Sequence, residues 1–219
     1  MRLITVYDSE VYAHDPALKA GWGFSCFIEG DTNVLFDTGW DGNVLLSNME
    51  VLGISPQDID VVVLSHEDWD HAGGLATLLH VCSPEVVHVP SSLSKRLIAE
   101  ISKLAEVHEV GDEPFEVASG VYSTGLLRNE VDEQSLVLDG GIVLTGCAHP
   151  GVENILRRAR ELMPVAGIVG GLHSFSQLHL LSGMSLISAC HCTVRKDEIA
   201  ELYPDQYVEN GVGRVIELI

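Results

Sequence analysis

Basic residues are scarce in this chain: four lysines and eight arginines stand against 32 acidic residues, giving a formal net charge of −20 over 219 residues. A surface so negative repels nucleic acid and anionic membranes, and no basic stripe reverses the field locally, so neither is expected as a partner. Long apolar runs are missing too. Although 46% of the residues are hydrophobic, no window reaches the roughly 18 consecutive apolar residues of a membrane span. The opening MRLITVYDSE turns acidic too early for a secretory signal, and a cytoplasmic protein is expected. Cysteines are few, odd in number and far apart (Cys26, Cys82, Cys147, Cys190 and Cys192), which argues against a disulfide framework. Cys190 and Cys192 flank His191, but alternate residues of a strand point to opposite faces, so both are expected as packed, reduced thiols. No repeat, low-complexity tract or linker interrupts the chain, and one domain covering residues 1–219 is the simplest organisation.

What is present is a series of short apolar runs set between turns and helical spacings. RLITVYD, GFSCFIEG and NVLFDTG read as a β-meander, with Gly30-Asp31 turning between the last two. Residues 9–22 break that pattern and predict a mobile loop. Residues 43–53 have helical spacing and end on Gly53, suited to a C-cap. PEVVHVP predicts a strand, residues 91–105 an amphipathic helix with a serine cap, and EVHEV, FEVASGVYS and SLVLD further short strands. With a closing RVIELI strand, this mixture implies an α/β protein of two sheets with helices outside.

Histidine placement is the most informative feature. VVVLS (61–65) runs straight into HEDWDHAGG; GIVLTGC (141–147) is followed by His149, VAGIVGG (165–171) by His173, and SLISAC (185–190) by His191. In α/β sheets, the loops beyond the carboxyl ends of strands converge on one crevice, so segments distant in sequence can deliver these side chains to one place. His66, Asp68, Asp70 and His71 fall within six residues, and imidazole with carboxylate suits zinc, iron or manganese. His14, His80, His88, His108 and His179 lack such placement and are expected on the surface or in packing.

These residues resemble the metallo-β-lactamase superfamily, whose signature is HxHxDH followed by single histidines further along. The resemblance runs over almost the whole chain: Asp37-Thr38-Gly39 after a strand, HEDWDHAGG, GCAHPG, GGLH and HCT. The set WGFS, GCAHPGVENIL, GGLH and HCT is similar to one branch, which includes an archaeal synthase joining a dihydropterin to ribofuranosylaminobenzene 5′-phosphate. The resemblance implies an αββα sandwich of two mixed β-sheets flanked by helices. It implies two divalent metal ions, zinc first and iron or manganese as alternatives. His66, Asp68 and His149 would hold one ion; Asp70, His71 and His191 would hold the other. Asp37 would stand behind the ligands and fix the motif loop through hydrogen bonds. The implied activity is that of a metal-dependent hydrolase or group transferase acting on a small anionic substrate. Position 68 departs from the signature, carrying Asp where the family has His. A harder, charged donor there tilts the site toward iron or manganese and leaves open a second reading, a di-iron enzyme handling oxygen or peroxide.

Asp70, itself a ligand, and His173 are the side chains expected to take part in the reaction. His173 stands where the superfamily usually has an aspartate or cysteine contacting the second metal. An imidazole has one lone pair to offer and cannot bridge as a carboxylate does, so an acid–base or substrate-contact role is favoured over ligation. Trp22, Phe24 and Trp69 flank the expected mouth and are candidates to stack on a flat ring. Arg195 and Lys196, with Arg128, are the basic groups placed to reach a phosphate.

Overall fold

Most strands are continuous apolar runs buried on both faces, and in the computed structural model, which describes residues 1–218, successive side chains point alternately into a seam between two facing sheets and out toward the helices. In chain order the elements are β1 (Arg2–Tyr7), β2 (Ser25–Glu29), β3 (Val34–Phe36), α1 (Gly42–Val51), β4 (Val61–Val63), α2 (Trp69–Ala72), α3 (Leu75–Leu79), β5 (Val86–Pro90), α4 (Lys95–Ile101) and β6 (Glu106–Val110). The second half adds β7 (Phe115–Ala118), β8 (Val121–Ser123), β9 (Leu136–Leu138), β10 (Ile142–Thr145), α5 (Val152–Leu162), β11 (Gly167–Gly171), β12 (Leu186–Cys190), α6 (Lys196–Leu202) and β13 (Val215–Glu217). One sheet has the order β13-β1-β2-β3-β4-β5-β6, the other β12-β11-β10-β9-β8-β7. Each is mixed: antiparallel through its hairpins, then parallel from β3 to β6 and from β10 to β12.

Val34 and Phe36, Val61 and Val63, Leu136 and Leu138, and Ile142 and Leu144 meet in the seam between the sheets. Their neighbours point outward. Leu35 and Val62 pack under α1, α3 and α4, while Val137 and Val143 pack under α5 and α6. The result is the expected four-layer αββα sandwich. A buried phenylalanine such as Phe36 contributes about 3–5 kcal/mol against truncation to alanine. No helix among the described residues is long and apolar enough to cross a membrane.

Two local expectations need correction. Residues 9–22 form no regular element but are tied down along their length. Tyr12 N–H donates to the Val212 carbonyl, Lys19 N–H to Asn48 Oδ1 and Gly21 N–H to the Asp8 carbonyl, while Leu18 is buried. The helix expected over 91–105 starts only at Lys95, and Ser94 makes no side-chain capping bond.

His88 of β5 and His108 of β6 are direct ladder partners, and their Nδ1 atoms lie 2.8 Å apart. Phe115 of β7 packs on both rings, closing the seam at the sandwich edge. Burial, then the charge of His108, pushes His88 down to about 4. A histidine whose folded pKa is depressed contributes stability that is full above its unfolded value near 6.5 and is lost as pH falls toward 4. His88→Gln should therefore remove up to about 3 kcal/mol of the acid-induced loss. Urea unfolding of both proteins at pH 7 and pH 4.5 measures this, and an identical pH dependence in the two would refute it.

Candidate metal centre

The site begins behind β3, where Asp37 takes a left-handed backbone (φ 60°) and is completely buried. Its Oδ1 accepts the Ser65 N–H at 2.7 Å, and its Oδ2 accepts Ser65 Oγ–H and His71 Nδ1–H, each at 2.7 Å. A carboxylate only accepts, so His71 is protonated on Nδ1 and turns the Nε2 lone pair inward. Ser65 has one hydroxyl proton and gives it to Asp37, so its oxygen accepts from His66 Nδ1 at 2.8 Å. His66 Nε2 is then the nitrogen turned toward the centre. Burial pushes the Asp37 carboxyl up to about 7, opposed by the His66 charge and the Ser65 hydrogen bonds.

Asp68, Asp70 and His71 sit on the single turn of α2, where the sequence suggested only a loop; Asp68 is its N-cap. The turn is pinned from outside. The Asp70 carbonyl accepts Phe24 N–H, and the His71 carbonyl accepts both N–H and Oγ1–H of Thr38. Asp68 Oδ2 lies 3.6 Å from Nε2 of both His66 and His149. Asp70 Oδ2 lies 3.3 Å from His191 Nε2 and 3.8 Å from His71 Nε2. The nearby His66 imidazole holds Asp68 below the usual carboxylate range. Burial would raise Asp70, but the His191 hydrogen bond and the His71 and His191 charges bring it to about 2. Burial likewise pulls His66 down, yet Asp68, Glu133 and Asp37 outweigh it and lift the imidazole to about 9. His71 goes well below its usual value through burial and the charges of His66 and His191. In the metal-free protein the cation these carboxylates favour is the protonated His66 ring itself.

The second sheet supplies the remaining donors through two further buried carboxylates that sequence reasoning passed over. Glu133 Oε1 accepts the N–H groups of Gly146, Cys147 and Ala148 at 3.2, 2.9 and 2.9 Å, and its Oε2 accepts His149 N–H at 2.8 Å. This clamp holds the turn after β10, in which Ala148 is left-handed (φ 62°). Asp8 Oδ2 accepts His191 N–H at 3.0 Å after β12, where His191 is left-handed too (φ 49°). His191 Nδ1 meets Ser9 Oγ at 3.3 Å, leaving Nε2 toward the centre. Glu133 lies in the unpatterned stretch between strands, where no spacing marks it.

Three overlapping donor groups result, each with atoms within 4.8 Å of one another: Asp70, His71, Cys147 and His191; His66, Cys147 and His149; and His66, Asp68 and Asp70. The structure thus brings together all six residues of the expected ligand set and adds Cys147. The Nε2 atoms of His66 and His149 are buried without a hydrogen-bond partner, and those of His71 and His191 face each other at 3.2 Å. Lone pairs left orphaned or opposed in this way fit divalent cations between them.

His173 is left-handed (φ 46°) and exposed, with its ring 5.1 Å from that of His149, and it belongs to none of the donor groups. Trp22 is 58% exposed and lies over His191 with ring centroids 5.0 Å apart. Phe24 cannot meet a substrate: it is fully buried against Phe36 in the seam. Its place in a strand-like apolar run was the signal for that. Trp69 is exposed and lines an apolar groove with Leu75, Leu97 and Ile101, to which none of the donors contributes. Arg195, Lys196 and Arg128 are each already paired, with Glu198, with Glu10, and with Asp112 and Asp132 respectively. The cavity beside the centre holds about 410 Å³ and is lined by His149, His173, Asn154, Ser174, Phe175 and Gln177 among others, with no lysine or arginine.

Residues 23–159 match the family model of the metallo-beta-lactamase superfamily. Among curated proteins, the chain is similar to the 7,8-dihydropterin-6-methyl-4-(beta-D-ribofuranosyl)-aminobenzene-5'-phosphate synthase of Methanocaldococcus jannaschii. The two are 24% identical over 89% of each chain. Among solved structures it shares its fold with a metal-dependent hydrolase of the beta-lactamase superfamily, with TM-score 0.76 and 24% identity over 100% of this chain and 99% of the other. A diphosphatase from the PhnP family has the same fold, with TM-score 0.69 and 16% identity over 100% and 98%.

Glu133 offers a direct test of how the turn is held. Glu133→Ala strands four buried N–H groups, each costing about 1–3 kcal/mol, and should lower the melting temperature sharply. Glu133→Gln keeps an acceptor for three of them and should fold, while zinc affinity falls roughly 10–100-fold. Thermal unfolding and a chelator-competition titration read both effects; wild-type values for Glu133→Ala would sink the idea.

Proposed function

The chain belongs to the metallo-β-lactamase superfamily, and we propose that it is a metal-dependent hydrolase or group transferase using two divalent ions on a small anionic substrate. One observation carries this reading: four buried imidazole Nε2 atoms and two partly exposed carboxylates converge beside a cavity. Their protons are already placed on the far ring nitrogens of His66 and His71. Ions bound there supply Lewis-acid charge to a phosphorus or carbonyl centre and favour the ionised form of an attacking water. His66, Asp68 and His149 would hold one ion, and Asp70, His71 and His191 the other. Zinc is the first choice for this donor set.

The rest is the work of the chain's own groups. The cavity has no lysine or arginine and includes Glu153, so an anionic end of the substrate belongs at the ions and its neutral part in the cavity. Ser174, Asn154 and Gln177 can exchange hydrogen bonds with a polar heterocycle, and half-buried Phe175 offers it a ring face. His173, on the rim beside His149, is placed to take or give a proton at the leaving or attacking oxygen. The similarity to the dihydropterin-linked synthase supports a pterin-type substrate, as do the amide, hydroxyl and aromatic groups of the cavity wall. A cytoplasmic setting accords with reduced cysteines.

Elemental analysis of protein purified without chelator should give two divalent ions per chain, and one ion at most after metal soaking would contradict the dinuclear arrangement. Zinc or manganese should support turnover without oxygen, whereas activity that requires iron and an electron donor would establish the di-iron reading instead. Incubation with the two pterin-pathway halves should yield a coupled product with release of diphosphate; its absence by mass spectrometry rejects that substrate alone. His173→Ala should lower turnover about a hundredfold with metal content unchanged. Loss of an ion in that variant would make His173 a ligand, and unchanged turnover would remove it from the reaction.

A further inference from the structure

Five cysteines are free in this chain, and Cys147 stands apart from the others in where its sulfur points. Cys26 and Cys190 pack in the seam and Cys82 under the helices of the first sheet, as apolar residues do. Cys147 is just as buried, at 4% exposure, yet it belongs to no apolar cluster. Its Sγ lies 3.2 Å from His71 Nε2 and is the one donor common to the group containing His71 and His191 and the group containing His66 and His149. The N–H groups of Cys147 and of both its chain neighbours are fixed by Glu133, so the backbone from which this side chain projects is held in place. His66, completely buried, aims an unpartnered Nε2 into the same space.

We propose that Cys147 is a metal ligand shared by the two halves of the centre, a sulfur donor that draws zinc or another thiophilic ion. The proposal rests on the reading of the site as a metal centre and adds to it a ligand outside the set of six. A thiolate sulfur carries several lone pairs and can serve two cations with one atom, which an imidazole cannot do. Sulfur also reverses the preference implied by Asp68. A set of imidazole and carboxylate alone accommodates manganese or iron, whereas adding a thiolate favours zinc and its relatives.

Cobalt(II) loaded into the metal-free protein provides the test, because sulfur ligation produces an intense near-ultraviolet charge-transfer band that nitrogen and oxygen ligands do not. The wild-type protein should show the band, and Cys192→Ala should keep it. Cys147→Ala and the near-isosteric Cys147→Ser should lose it and retain cobalt at least about tenfold less tightly, with circular dichroism confirming that both are folded. Cobalt bound to the wild type without the band would overturn the proposal while leaving an all-nitrogen-and-oxygen centre standing. A band that disappears in Cys192→Ala, or persists in either Cys147 variant, would overturn it too. Cobalt that does not bind at all would overturn both this proposal and the metal-centre reading.

Discussion

Everything at the centre depends on carboxylates that never face it. Asp37 sits behind the first group of histidines, Glu133 behind the turn carrying Cys147 and His149, and Asp8 behind His191. Each is fully buried and accepts hydrogen bonds from the segment in front of it. Buried charge is expensive unless its acceptors are filled, and here filling them is what fixes the donors. Asp37 goes further: through Ser65 and directly, it sets the protonation pattern of two imidazoles at once. Removing it would free both rings to present the wrong nitrogen.

The cost of this arrangement is visible in the backbone. The non-glycine residues with left-handed backbone among the described residues are Asp37, Ala148, His173 and His191, each just beyond a strand and each at or beside the centre. Such residues cost roughly 1–3 kcal/mol apiece and persist where surrounding structure over-determines them. The clamps of Glu133 and Asp8 supply that determination for Ala148 and His191. Close backbone contact contributes as well. A β-carbon on Gly74 would strike the Thr38 carbonyl at 2.2 Å, and one on Gly146 would strike Ser65 Oγ at 2.3 Å. Glycine at these two positions lets the motif loop and its neighbours close up.

Much of this was legible in the sequence because strand periodicity and strand-end histidines are local signals. β4, β10, β11 and β12 lie inside the apolar runs that pointed to them, and α1 ends just before the left-handed Gly53. What could not be read was anything decided by orientation. Phe24 and Trp22 are two residues apart, yet one is sealed in the seam and the other lies open over His191. Glu133 resembles any acidic residue of a loop until the chain folds around it, and no spacing set Cys147 apart from the other cysteines. The pairing of the basic candidates was hidden for a related reason. In a chain with this excess of acid, every arginine or lysine near the site finds a carboxylate partner before it finds a ligand.

The candidate donors come from both leaves of the sandwich. His66, Asp68, Asp70 and His71 follow β4, whereas Cys147, His149 and His191 follow β10 and β12. Polar ties cross between the leaves around the centre, from Asp8 and Ser9 to His191 and from Gln134 Nε2–H to the Leu64 carbonyl at 2.8 Å, while away from it the leaves meet through apolar side chains. The spacing of the donors is therefore inherited from how tightly the apolar seam is packed. A side chain such as Leu136 or Phe36 makes no contact with the chemistry, but it sets the gauge across which seven donors must meet. Interiors packed as densely as crystals transmit displacement rather than absorb it, so the hydrophobic interlayer acts as the calibrating part of the instrument.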